Sequence, residues 1–304
     1  MVKEIAIILP YKETYTNKSA GAASIWLKDY IKKSLLSEKT IIYGNIDKSE
    51  KPLTKHFKNI SLKNSFFSRT KTYMNSFYEE HKKFNFKIIE IHNRPEYLKY
   101  LVNKKVKSKI LFFFHNNPLE IKGSKTKKER LAIIEKAYKV FFVSKWVRNK
   151  FFSDLDIKTK SNCEISYPSI DKVKKLNPKK KKQIIFTGKL NSLKGYDIFG
   201  EAIIKILDKY PNWKGVVAGN EPREKLIFKH KNLKVYPWLS HKKTLELYNQ
   251  SSISIVPSKW NEPFGRTAME SAAYGCATIT SDRGGLLETF DNDQIIKKLN
   301  SNEL

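Results

Sequence analysis

The 304 residues carry 59 lysines and arginines against 30 aspartates and glutamates, a formal net charge of +29, with 40% hydrophobic residues; that length suggests two domains of ~100–200 residues each, with ordinary globular cores. No apolar run reaches the ~18 residues of a hydrophobic spanning helix, and two cysteines, Cys163 and Cys276, neither in a CxxC pair, exclude a disulfide framework and a thiolate metal site. The positive charge is nearly all lysine, with arginine only at Arg69, Arg94, Arg130, Arg148, Arg223, Arg266 and Arg283. Arginine forks do much of the base reading in nucleic-acid binders, so no nucleic-acid partner is expected. Together with abundant Ile, Asn and Phe, the lysine excess reads mostly as an AT-rich coding bias on solvated faces. Peripheral contact with an anionic membrane surface is the alternative.

In chain order, Met1–Pro10 has an apolar run without a basic n-region or a small-residue cleavage site. It reads as a first strand of a cytoplasmic protein, not as a secretory signal. Strands are expected at Glu4–Leu9, Thr40–Tyr43, Phe86–Ile91, Lys109–Phe114, Val140–Val143 and Glu164–Ser166. Helical patterns lie between them at Gly21–Leu36, Phe66–Lys83, Tyr97–Asn103, Lys127–Lys136 and Lys145–Phe152. This alternation predicts parallel sheets with crossover helices. A continuous run such as Ile110–Phe114 suits a strand buried on both faces.

The lysine-rich stretch Asp171–Lys182 has few apolar residues and reads as a linker, with a charged loop inside one domain as the alternative. It places the domains at residues 1–172 and 173–304. Alternation then restarts, with strands at Gln183–Thr187, Gly215–Ala218, Leu233–Tyr236, Ile253–Pro257 and Ala277–Thr280. Helices are expected at Tyr196–Lys209, Glu221–Phe228, His241–Gln250 and Arg266–Tyr274. Two such α/β halves imply a cleft, with ligands beyond the C-terminal ends of the strands.

The richest segment is Ser254–Gly285, SIVPSKWNEPFGRTAMESAAYGCATITSDRGG. A strand ends near Pro257, a loop with Pro263 and Gly265 follows, and a helix of small residues stops at Gly275, a natural left-handed cap. Glu262 precedes the helix and Glu270 lies on it among Ala268, Met269, Ala272 and Ala273. Carboxylates suit hydroxyl pairs because each oxygen accepts, and free N–H groups at a helix start suit a diphosphate. The plainer alternative is an Arg266–Glu270 pair on a helix surface, worth only ~0.2–0.5 kcal/mol.

A second cluster, Phe186–Gly195, reads strand, loop with glycines at both ends, helix. Lys189 and Lys194 there make an anion site, though the spacing is not that of a Walker A loop. Gly219, Asn220 and Val235–Trp238 follow strands and are candidates to meet a nucleoside, with Trp238 alternatively a core residue. In the first half three strands end in polar clusters: His92-Asn93-Arg94, His115-Asn116-Asn117 and Ser144-Lys145-Trp146.

The segment EPFGRTAME followed by SAAYG resembles the EX7E motif of retaining family-4 glycosyltransferases with the GT-B fold. That resemblance implies two Rossmann-like parallel-sheet domains, the N-terminal one on the acceptor side and the C-terminal one holding the donor nucleotide. It assigns Glu262 to hydroxyls of the donor sugar, Glu270 to the ribose, and the backbone of Phe264, Gly265 and Arg266 to sugar and phosphate. Gly188, Lys189 and Lys194 look like the family's phosphate clamp, with Lys189 in place of the usual arginine, which loses the bidentate fork. Gly219 and Trp238 fall near the expected base. Gly21, in the loop Tyr15–Ser24, resembles the family's glycine loop near the diphosphate. Similarity also suggests His115, beside Glu262, as a group at the reacting centre, where a structural histidine is the other reading. His92 and Arg94 look more like a helix N-cap and an acceptor-side group.

No HExxH and no His/Cys cluster is present in the sequence, and lysines with a helix N-terminus can neutralise a leaving diphosphate, so neither metal nor cofactor is expected. The implied partners are a nucleoside-diphosphate sugar and a carbohydrate or glycolipid acceptor. The chain stops at Leu304, before the helices with which the family crosses back onto its first domain, so those are expected to be missing. A non-catalytic nucleotide-sugar binding protein is the alternative, and a basic nucleic-acid binder a distant third.

Overall fold

The computed structural model describes residues 2–18, 20–60, 62, 68–157, 160–173, 175–289 and 294–304. The chain forms two compact units, Met1–Ser169 and Ile170–Leu304.

The first unit is built on a seven-stranded, all-parallel sheet. Its strands are β1 (Ile5–Ile8), β2 (Thr40–Gly44), β3 (Phe57–Asn59), β4 (Ile88–His92), β5 (Lys109–Phe114), β6 (Lys139–Phe142) and β7 (Cys163–Ile165). Their spatial order is β3-β2-β1-β4-β5-β6-β7, so the winding reverses between β1 and β4. Such a reversal opens a crevice at the strand C-termini. The helices are α1 (Ala22–Lys33), α2 (Arg69–Phe84), α3 (Pro95–Asn103), α4 (Lys127–Lys136) and α5 (Lys145–Phe152). Their starts follow local chemistry: Pro95 opens α3, Thr126 and Glu129 form a reciprocal capping box on α4, and Ser144 accepts from Val147 N to cap α5. One face of the sheet buries Ile5, Ile7, Leu9 and Phe113 against Trp26, Leu27 and Ile31 of α1.

The second unit has a six-stranded parallel sheet in the order β10-β9-β8-β11-β12-β13. The strands are β8 (Lys181–Thr187), β9 (Lys214–Ala218), β10 (Leu233–Tyr236), β11 (Ser251–Val256), β12 (Ala277–Ser281) and β13 (Ile295–Ile296), with helices α6 (Tyr196–Lys209), α7 (His241–Gln250) and α8 (Arg266–Ala273). Its winding reverses between β8 and β11. Ile184, Phe186, Val217 and Ile255 pack with Tyr196, Phe199, Ile203 and Leu207 of α6. On the other side, Ile185 and Val216 pack with Tyr248 and Cys276.

The main departure from the predicted elements is Glu221–Phe228, which is turn and irregular chain, not helix. Its polar groups are taken by tertiary partners: Arg223 clamps Glu221 with two 2.7 Å hydrogen bonds, and Glu224 accepts from Ser192 N at 3.1 Å. Phe228 meanwhile lies edge-on to Tyr196. His92, read as near a helix cap, is the last residue of β4, and Arg94 takes the N-cap position of α3 without a side-chain capping bond. The short strands β3 and β13 had no strand signal of their own. Phe66 and Phe67 of the expected second helix, Ser19 of the Tyr15–Ser24 loop and Lys174 of the expected linker lie outside the described residues.

Candidate active site

In the second unit, the loops after β8 and β11 leave the two strands that flank the reversal. After β8 the chain passes Gly188, whose α-carbon faces open space, and exposed Lys189. Asn191 then caps a short 3-10 turn by accepting from Lys194 N at 3.0 Å. Gly195 follows at φ 72°, and a Cβ there would sit 1.9 Å from the Pro257 carbonyl oxygen. Only glycine fits both that backbone conformation and that approach. The loop after β11 is stitched to the same turn, because Lys259 N and Trp260 N both donate to Leu193 O at 3.0 Å.

This stitching brings Lys194 to Glu262. The Lys194 ammonium donates to Glu262 Oε1 at 2.5 Å and lies 4.7 Å over the Trp260 ring. Ser258 Oγ donates to the same oxygen at 2.9 Å, and Gly285 N donates to the Glu262 carbonyl at 2.6 Å. Glu262 is 8% exposed. The chain continues through buried Phe264 to Gly265 at φ 117°, the N-cap of α8. One turn in, Glu270 is 4% exposed. Its Oε1 accepts from Arg266 Nε at 2.6 Å and pairs with His241 Nε2 at 2.8 Å. Arg266 and Glu270 are thus a buried pair with a third partner, not the surface pair that was the plainer alternative.

Each carboxylate is therefore held by cationic or hydroxyl donors through one oxygen. Among the described residues the side-chain hydrogen bonds to Glu262 and Glu270 fall on Oε1 of each, and Oε2 of each can accept from another donor. Two fixed, nearly buried acceptors flanking a helix N-terminus can bind hydroxyl pairs on either side of an anionic group.

Around this cluster, Gly219 abuts the β8 exit, where a Cβ would lie 1.8 Å from the Gly188 carbonyl oxygen. Trp238 is 48% exposed after β10, which removes the core alternative. His241 and the Asn191–Glu221–Arg223 network were not singled out from the sequence. The Ser240 cap that starts α7 was the one local signal for His241. The arginine beside Glu221 holds that carboxyl down at about 2.

In the first unit, Gly21 is the N-cap of α1, but the Glu13 carboxylate already sits there. Its Oε1 accepts from Ser24 Oγ at 2.8 Å and would lie 2.9 Å from a Cβ on Gly21. A carboxylate at a helix start is favoured by the helix dipole, and it competes with any other anion. His115 follows β5, half-buried, with its Nε2 2.8 Å from His92 Nδ1 and its backbone N–H donating to Asn93 Oδ1 at 2.7 Å.

The glycosyl transferases group 1 family matches residues 169–303. The Bacillus subtilis (strain 168) protein YtcC is 24% identical over 249 residues, covering 72% of this chain and 60% of YtcC, so the chain spans little more than half of that relative. The lipopolysaccharide core biosynthesis mannosyltransferase LpcC of Rhizobium leguminosarum bv. viciae is 30% identical over 112 residues, 33% of this chain and 31% of LpcC. The crystal structure of Anabaena Alr3699/HepE in complex with UDP-glucose superposes with a TM-score of 0.76 at 13% identity, covering 99% of this chain and 87% of HepE. The two parallel sheets are those of the GT-B fold, and residues 169–303 resemble the glycosyl transferases of group 1.

Proposed function

We propose that the protein is a metal-independent hexosyltransferase that moves a sugar, with retention, from a nucleoside-diphosphate sugar to a carbohydrate or glycolipid acceptor. The observation that carries this reading is the pair of buried carboxylates, Glu262 and Glu270, fixed before and within the first turns of α8. Glu262 binds hydroxyls of the donor sugar and Glu270 the ribose. The N–H groups of Phe264, Gly265 and Arg266, with Lys189 and Lys194, meet the diphosphate, and Gly188, Gly219 and Trp238 border the nucleoside. Stabilising the charge that develops on the leaving diphosphate is then the main catalytic contribution. In the first unit, His115 is assigned to the hydroxyl chemistry, and Gly21 serves the diphosphate only if the Glu13 carboxylate moves away.

The UDP-glucose complex of HepE makes uridine the first base to try, and the name of LpcC supports a role in lipopolysaccharide or other cell-surface polysaccharide synthesis at the cytoplasmic face of the membrane. Titration calorimetry with UDP, GDP, ADP and their glucose and mannose derivatives should find one base bound in the micromolar range. Donor turnover should survive EDTA. Loss of turnover with EDTA, restored by magnesium or manganese, would refute metal independence. Binding without hydrolysis or transfer to any acceptor would leave a nucleotide-sugar binding protein instead.

A further inference from the structure

Within β4 the run Ile88-Ile89-Glu90-Ile91-His92 sets two ionisable side chains in an otherwise apolar strand. Glu90 and His92 are 3% and 1% exposed. The neighbouring strands oppose Glu90 with Ile7 and Leu111, and His92 with Phe113, all apolar. From the helix layer, Tyr30 of α1 donates to Glu90 Oε1 at 3.4 Å. Trp26 of α1 packs against both histidines, with ring centroids 5.8 Å from His92 and 5.2 Å from His115, and Phe113 stacks on His92 at 5.0 Å.

Inside this apolar casing the polar atoms line up. His92 Nδ1 lies 2.8 Å from His115 Nε2, and His92 Nε2 lies 3.9 Å from Glu90 Oε2. The last two atoms are buried and have no hydrogen-bond partner among the described residues. Buried polar atoms without partners are rare because they lose their water without replacement. Two such atoms facing each other are a donor and an acceptor that a small side-chain rotation brings together.

We propose that Glu90, His92 and His115 form one proton-sharing chain, in which protonation of Glu90 decides whether His115 Nδ1 offers a lone pair or an N–H to a carbohydrate hydroxyl. This rests on the reading of His115 as a group that meets such a hydroxyl. Glu90 and His92 act through His115 and are positioning residues.

The proton inventory fixes the two states. An ionised Glu90 only accepts, so His92 carries its hydrogen on Nε2 and accepts at Nδ1. His115 then carries its hydrogen on Nε2, and its Nδ1 holds a lone pair. When a proton bonds to His115 Nδ1, the His115 Nε2–H bond breaks as His92 Nδ1–H forms. The His92 Nε2–H bond breaks as the Glu90 O–H forms. One proton enters at Nδ1 and one rests on Glu90; both imidazoles stay neutral with reversed tautomers, and Nδ1 has become a donor. Burial supports this resting place, because it pushes Glu90 up to about 7 while holding His92 well down and His115 down to about 4. Tyr30, the titratable group that faces Glu90 from α1, is itself pushed upward by burial and stays a neutral donor. A histidine whose tautomer is set by a buried acid changes role near neutral pH without becoming an imidazolium.

Ligand-free histidine 15N NMR of the full chain, with His115 assigned by His115→Gln, tests this between pH 5.5 and 8.5. The wild type should show His115 passing from Nδ1–H at low pH to Nε2–H at high pH, with a midpoint near 7. Glu90→Gln should hold one tautomer throughout. Tyr30→Phe, at a partly exposed position, removes a hydrogen bond that favours the ionised carboxylate, so it should move the midpoint to higher pH. A wild-type His115 with one tautomer across the range, a transition unchanged by Glu90→Gln, or a midpoint unmoved by Tyr30→Phe overturns the relay. The spectra need no ligand, so such a failure leaves the transferase reading untouched, and that reading fails separately in the nucleotide titrations.

Discussion

At the scale of single residues, the two glutamates should separate functionally because their surroundings differ. Glu262 is tied to Lys194 and Ser258, and Glu270 to Arg266 and His241. With Glu270 on the ribose, Glu270→Gln should weaken nucleoside diphosphate and sugar nucleotide alike. Glu262→Gln should leave nucleoside diphosphate affinity within about threefold, ~0.7 kcal/mol. Any change should be toward tighter binding, since the substitution releases Lys194 from its carboxylate partner. It should still cut sugar transfer roughly a hundredfold, the lower end for loss of one positioned transition-state contact. Calorimetry with both ligands and a turnover assay on folded protein check this. If Glu270 only braces Arg266 and His241, its variant will lose stability and keep its affinity, and the ribose assignment falls.

At the scale of elements, legibility followed how local the determining chemistry is. The helices α4, α5, α6 and α7 were read with their observed ends because Thr126, Ser144, Gly195 and Ser240 mark their starts within the same stretch of chain. Glu221–Phe228 was misread as a helix because Asn191 and Ser192, some thirty residues upstream, claim its glutamates. Glu262 and Glu270 could be singled out because one loop and one helix carry both. The Glu90–His92–His115 alignment depends on strand register, and its only trace in the chain is two ionisable residues in the apolar run IIEIH. Lys180 shows the same limit. Read as part of a charged linker, it donates to the carbonyls of Tyr248, Asn249 and Tyr274 at 3.1, 3.3 and 2.8 Å. It thereby satisfies the C-terminal ends of both α7 and α8, where the helix dipole also favours a cation. Lys180→Met keeps the aliphatic stem beside Gly275 but leaves three carbonyls without that donor. The second unit should lose about 2–3 kcal/mol, the scale of charged hydrogen bonds. Urea denaturation of the full chain, followed by a signal from that unit, measures it; an unchanged midpoint would show that water caps the two helices equally well.

At the scale of the whole molecule, acid should be the condition that undoes the N-terminal unit first. His92 and His115 are held below their ordinary value by burial, His115 to about 4. Groups with depressed folded values contribute stability above their unfolded value, near 6.5, and lose it as pH falls through the folded one. Glu90 works the other way: raised to about 7, it favours the folded state below its unfolded value, and that contribution is lost as pH rises through 7. Between pH 6.5 and 4 the gain at Glu90 offsets the loss at His115, two opposite shifts of similar size, so the net loss from these three groups falls to His92. His115 and Glu90 oppose each other at about 3 kcal/mol apiece, from ~1.4 kcal/mol per pKa unit. Carboxylate protonation adds to the same trend, because the chain already carries +29 and every neutralised Asp or Glu increases its self-repulsion. The melting temperature of the N-terminal unit should therefore fall between pH 7 and pH 4.5, by ~2–4 °C for each kcal/mol lost in a domain of this size. Added salt screens repulsion between exposed charges but not the protonation of buried imidazoles. High salt should recover only part of the loss at pH 4.5, and less at pH 7 because the net charge there is lower. Calorimetric scans at both pH values, in low and high salt, separate the two contributions: complete recovery by salt would assign the acid sensitivity to net charge alone, and an unchanged melting temperature at pH 4.5 would show that the folded unit takes up protons as readily as the unfolded chain.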